Sequence, residues 1–99
     1  MTRVGFTFAM AMFSASALAH FPLMECSKQG NEVHCLAGYS DGSAASNETI
    51  RLFSYDDVLL ESQKTDERSK VIFTLPSGDY YIVFDPGHES AVEVDGVEL

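Results

Sequence analysis

The sequence predicts an all-β chain, a seven-stranded β-sandwich. Two observations carry this expectation: short runs rich in Val, Ile, Phe and Tyr recur roughly every eight to twelve positions between turn residues, and no run of useful length has helical periodicity. The chain of 99 residues shows no internal repeat, linker or low-complexity stretch, so a single domain follows.

The first element lies outside that fold. Arg3 is a lone positive charge, Val4 to Leu18 is uncharged, and Ala17-Leu18-Ala19 is a small-x-small triplet, the order of a signal peptide over residues 1–19. The run is too short and too weakly apolar for a transmembrane helix of about 20 residues. Cleavage after Ala19 leaves a β-sandwich domain over 20–99 whose first residue is His20.

Phe21 to Ser27 is the first strand, and Gly30-Asn31 is a two-residue hairpin turn that leads into Glu32 to Tyr39. Counting outward from that turn sets Gln29 opposite Glu32, Lys28 opposite Val33, Ser27 opposite His34 and Cys26 opposite Cys35. The last is a non-hydrogen-bonded pair, where side chains approach most closely. An exported chain reaches a compartment in which disulfides persist, so a Cys26–Cys35 bridge is expected. Asp41 to Ser46 is a loop. Thr49 to Tyr55 alternates, turns at Asp56-Asp57 and continues as Val58 to Ser62, and Gln63 to Ser69 is a polar connection. Lys70 to Leu75 ends at Pro76-Ser77-Gly78-Asp79. Tyr80 to Phe84, the most apolar run, is expected to be central and covered on both faces. Asp85-Pro86-Gly87-His88-Glu89 forces a further turn before the closing strand, Ala91 to Val97.

Fifteen Asp and Glu against six Lys and Arg give a net charge of −9, which makes nucleic acid and anionic membrane surfaces poor partners. Cations and basic protein surfaces suit it better. The sequence has no Ser/His/Asp arrangement of known spacing, no phosphate-cradling glycine loop and no H-E-x-x-H helix, so an enzyme is not expected.

Histidine at the amino terminus brings metal chemistry. The free amine and Nδ1 of His20 close a six-membered chelate around one ion, a donor set that suits Cu(II) and Ni(II). A tight site needs a further imidazole, and His88 and His34 are the remaining histidines. His88 lies on a glycine-bearing loop beside Asp85 and Glu89, carboxylates able to orient its ring or ligate directly. In a seven-stranded sandwich the start of the first strand and a late loop can share one end, whereas His34 belongs mid-strand and farther away. Asp41, Asp56 and Asp57 read as turn formers, Met24 as core, and Tyr39, Tyr55, Tyr80 and Tyr81 as sandwich packing. Asn47-Glu48-Thr49 matches a glycosylation sequon and also reads as a polar strand entrance.

The motifs also stand in a recognisable order: Gly38-Tyr39-Ser40-Asp41-Gly42-Ser43, a strand pair around Asp56, Thr65-Asp66-Glu67, Leu75-Pro76, then Tyr80-Tyr81-Ile82-Val83-Phe84-Asp85-Pro86-Gly87-His88. In this order the chain resembles the NikL-like small periplasmic component of nickel and cobalt uptake systems, over nearly all of residues 20–99. It departs from that pattern where glycines are usual, at Asn47-Glu48-Thr49 and at Ser69, and in ending at Val97-Glu98-Leu99 without the usual membrane segment. The resemblance implies a prealbumin-like (carboxypeptidase regulatory-like), Ig-like sandwich. It also implies periplasmic localisation, nickel or cobalt as the bound ion, and membrane subunits of a metal transporter as partners. Two other expectations stand beside it: a periplasmic copper carrier that begins with histidine, and a metal-free adhesion or protein-interaction module.

Overall fold

A computed structural model describes residues 20–88 and 90–99. The signal peptide expected over 1–19 and the candidate ligand Glu89 lie outside the described residues. Seven strands follow in order: β1 (Pro22–Gln29), β2 (Glu32–Tyr39), β3 (Thr49–Ser54), β4 (Leu59–Lys64), β5 (Lys70–Thr74), β6 (Tyr80–Phe84) and β7 (Val92–Asp95). They form two antiparallel sheets, a three-stranded sheet of order β1-β2-β5 and a four-stranded sheet of order β4-β3-β6-β7. The chain therefore crosses between sheets after β2, after β4 and after β5, as a small β-sandwich requires.

The period-two pattern decides which side chains meet between the sheets. Val33, Cys35, Ala37 and Tyr39 of β2 point inward with Val71 and Phe73 of β5, and oppose Ile50 and Leu52 of β3 and Tyr80, Ile82 and Phe84 of β6. Phe73, Phe84, Ile50, Leu52, Ile82 and Val33 are the largest fully buried side chains. Burying each is worth about 1.5–3 kcal/mol, and together they make the principal apolar driving force for folding. Met24 joins this core from β1.

The first hairpin has the register counted from the sequence, with Gln29 opposite Glu32, Ser27 opposite His34 and Cys26 opposite Cys35. Gly30 takes φ 61°, the positive value that a type II′ turn requires at its first central position. The Cys26 and Cys35 Cα atoms lie 4.1 Å apart and the sulfurs are bonded. The bridge pins β1, an edge strand, to the middle strand of its sheet.

Three expectations change in detail. β4 runs on to Lys64, because Thr49 and Ile50 pair with Lys64 and Gln63, residues whose polarity reads as loop. The closing strand stops at Asp95, and Gly96–Glu98 forms a 3-10 turn whose Val97 amide donates to the Asp95 carboxylate. β6 is internal to its sheet but covered on one face only, for Tyr81 and Val83 on its outer face are half-buried.

Both departures from the glycine pattern fall at left-handed backbone. Asn47 has φ 59° and Ser69 φ 65°. Asn is among the non-glycine residues that enter this region most readily. Ser69 is held there by its bonds: its hydroxyl accepts from the buried Ala45 amide at 2.8 Å, its carbonyl from Ala37 N at 2.9 Å, and its amide donates to Asp66 O at 3.0 Å. Thr65 completes the knot, donating to Ala45 O and accepting from Glu48 N. These buried groups satisfy the backbone of the two crossovers where no sheet can.

Candidate metal-binding site

The β1–β2 pairing does not stop at the last ladder residue. Ser40 N donates to Phe21 O at 2.8 Å, and Phe21 N donates to the Ser40 hydroxyl at 2.9 Å. One step further out, the same register sets His20 across from Asp41. The loop after β2 folds back at once, with Gly42 N bonded to Tyr39 O and Tyr39 N to Ser43 O. Asp41 fixes this turn, as expected, accepting from Ser43 N at 2.9 Å and from the Ser43 hydroxyl at 2.6 Å through Oδ1. Its other oxygen, Oδ2, lies 2.9 Å from His20 Nδ1. An ionised carboxylate only accepts, so the imidazole donates there.

Two aromatic neighbours set the plane of the His20 ring. It stacks with Tyr39 at a centroid distance of 4.8 Å and an interplanar angle of 11°. It also stacks with His88 at 6.0 Å and 20°. Tyr39 in turn packs edge-on against Phe84, the last residue of β6, so the loop bearing His88 starts beside the ring that supports His20. Asp85 accepts from Gly87 N at 2.9 Å, and Gly87 takes φ 94°, which bends the loop toward the amino-terminal end of β1. The two sheets thus contribute one imidazole each to a partly exposed cluster at one end of the sandwich.

Electrostatically, the hydroxyl and amide of Ser43, with His20 beside them, hold the Asp41 carboxyl well below the usual carboxylate range. It is therefore an anion at neutral pH. The Tyr39 hydroxyl is raised by burial and by donating to Glu48, which keeps it a neutral phenol under the imidazole.

Of the residues singled out from the sequence, His20 and His88 come together. Asp85 orders the backbone of the His88 loop through its bond to Gly87. His34 lies elsewhere: its Nε2 is 3.0 Å from Glu32 Oε1, on the outer face of the three-stranded sheet between Ser27 and Ile72. It stands five positions along β2 from Tyr39, about 16 Å, too far to share an ion with His20. A groove of about 530 Å³ lined by Glu25, His34, Leu36, Lys70 and Ile72 opens there.

Sequence reasoning took Asp41 for a turn former alone and missed its second partner. The signal was in the hairpin register, which pairs residues whose numbers sum to 61 and so sets 20 against 41. The geometry is not a closed chelate. Among the described residues, no group of three or more His, Cys, Asp or Glu side chains is arranged to hold a metal ion. Imidazole nitrogens bind in the ring plane, so two stacked rings must turn relative to each other before both ligate one ion. Among the described residues, no helix is long and apolar enough to cross a membrane. Compared with family models, with curated proteins and with solved structures, the chain matches none.

Proposed function

We propose that the chain is an exported β-sandwich protein that captures a divalent transition metal, nickel or cobalt, and passes it to the membrane subunits of an uptake system. The observation that carries this reading is the meeting of His20, His88 and Asp41, with a ring separation of 6.0 Å and an imidazole-to-carboxylate distance of 2.9 Å. Cleavage after Ala19 turns the His20 nitrogen into an amine, and with Nδ1 it forms the chelate. The metal then replaces the proton that His20 shares with Asp41, which leaves the carboxylate beside the ion as a ligand. His88 swings on its Gly87-bearing loop to supply a further nitrogen. Nitrogen donors with one carboxylate suit Ni(II), Co(II) and Cu(II), and a mixed, exposed set releases its ion more readily than a buried one, as delivery demands. The Cys26–Cys35 bridge fits an oxidising compartment such as the periplasm, and the likeness in motif order to NikL-like proteins favours nickel or cobalt.

The copper-carrier reading uses the same donors, and tighter Cu(II) binding in vitro follows from the Irving–Williams order in either case. The test is calorimetric titration of residues 20–99, which contain every described strand, with Ni(II), Co(II) and Cu(II). One ion should bind per chain, and His20→Ala or His88→Ala should weaken it roughly 10- to 100-fold. Equal, weak binding by the parent and both variants ends the proposal.

A further inference from the structure

The outer face of the four-stranded sheet carries a stacked aromatic pair at the end marked by the β3–β4 turn. Phe53 and Tyr81 stack across β3 and β6 with centroids 5.2 Å apart and rings 14° from parallel. Their row is flanked by Leu59 on β4 and Asp95 on β7. Tyr55, Val58, Leu59 and Leu60, which follow Phe53 through the β3–β4 turn into β4, are each about half exposed, between 46% and 54%. Single exposed apolar residues need no explanation, whereas a contiguous set with aromatic rings at its centre marks a surface for a partner.

Carboxylates gather at the turn end of this face, whereas Arg51, on the same face of β3, stands two residues from Phe53 and across from Val83. The Tyr81 hydroxyl donates to Asp57 at 2.7 Å, and the Tyr55 hydroxyl donates to Asp95. Asp79 and Glu98 lie close enough to act electrostatically on Tyr55, and Glu93 on Tyr81. Among the described residues the ion pairs are those of His20 and His34, so none of these carboxylates is neutralised by Lys or Arg. The hydroxyl bonds hold two of the anions in fixed positions at the edges of the aromatic rings. This arrangement takes cations that also carry apolar or planar surface: guanidinium groups stack on aromatic faces and bond carboxylates, and lysine stems lie along apolar surface.

We infer that this face docks a basic, Arg- and Lys-bearing segment of a partner protein, with Phe53, Tyr55 and Tyr81 as the platform and Asp57, Glu93 and Asp95 as the charged rim. Charge complementarity selects the occupant. A second copy of a chain with net charge −9 is repelled, as is an anionic lipid or nucleic acid surface. The surface lies apart from the His20 cluster and stands whether or not that cluster binds metal.

The probe is an octapeptide alternating Arg and Leu, followed by backbone and tyrosine-ring NMR shifts of residues 20–99 at low and high salt. Shifts should concentrate at Phe53, Tyr55, Asp57, Tyr81 and Asp95, and the affinity should fall as salt rises. Asp57→Asn, Asp79→Asn and Glu93→Gln combined should weaken binding about tenfold. Asn is chosen at Asp57 because that residue has φ 63°, which Asn tolerates. Glu25→Gln, Glu32→Gln and Glu67→Gln combined change the net charge equally and should leave binding intact. Equal weakening by the two triple variants, shifts spread over the whole surface, salt-independent binding, or no binding each overturns the inference. Self-association in place of peptide binding does so too.

Discussion

Gly96→Ala offers a demanding test of the packing. A Cβ built at Gly96 would stand 2.5 Å from Tyr80 Cζ, 2.6 Å from Cε1 and 2.7 Å from Cε2. Non-bonded carbons settle at about 3.5–4.0 Å, so the methyl overlaps three ring atoms by about 1 Å each. The ring has little room to retreat, for Tyr80 is 5% exposed and belongs to the core cluster. Overpacking of this kind costs about 1–3 kcal/mol. Against it stands the entropy that alanine removes from the unfolded chain, worth about 0.4–1 kcal/mol. The net is a loss of about 1–2 kcal/mol. In urea unfolding, with a slope near 1 kcal/mol/M for a domain of this size, the midpoint should fall by about 1 M or more. Tyr80→Phe is the companion. Among the described residues the buried Tyr80 hydroxyl has no hydrogen-bond partner, so its deletion should leave stability unchanged or raise it by about 1 kcal/mol. If Gly96→Ala is neutral or stabilising with the slope unchanged, the close approach of Gly96 to Tyr80 does not constrain the fold and the reasoning fails.

Two further outcomes follow from the same structure. The Cys26–Cys35 bridge closes a loop with a sequence separation of 9, for which the chain-entropy relation gives about 2.6 kcal/mol at 25 °C. The Cys26→Ala/Cys35→Ala variant should lose about that much in urea, or less if the Gly30-Asn31 turn already forms in the unfolded chain, and a variant as stable as the parent would refute the role assigned to the bridge. All four tyrosines resist ionisation: Tyr55 and Tyr81 are pushed up to about 12 by donating to Asp95 and Asp57, and burial leads in raising Tyr39 and Tyr80. Because their folded values lie above the ordinary 10.0, the stability they add is present below pH 10 and is lost as pH rises through about 12. Near-ultraviolet phenolate absorbance at pH 10 should therefore stay well under the half-ionised level of free tyrosine, and ordinary titration would contradict the hydrogen bonds to Asp57 and Asp95.

Much of the fold was legible because its signals are local. Turn residues and period-two alternation located seven strands, and a two-residue turn fixed the register of the first hairpin down to the disulfide. What escaped was decided at a distance. The last residues of β4, Gln63 and Lys64, are polar and read as loop until pairing with Ile50 and Thr49 is known. Tyr55 and Tyr81 look like core tyrosines in sequence, yet strand parity and the β3–β4 turn set them on the outer face, where carboxylates from β7 and the turn meet their hydroxyls. At the site, His20 and His88 were expected together on the argument that strand starts and late loops share an end. Asp41 was not, because a carboxylate two residues before Ser43 is fully explained by its own turn.

The central claim is that the His20 end of the sandwich captures a metal through a free amino terminus. The most direct measurement is Ni(II) affinity of the chain beginning at His20, set beside the same chain with one glycine ahead of it. The fold of the two is the same, since β1 begins at Pro22, and only the amine donor moves. The account predicts one tight Ni(II) site in the first and a roughly 10- to 100-fold loss in the second, with the residual affinity abolished by His88→Ala. Identical affinity in both chains would contradict it.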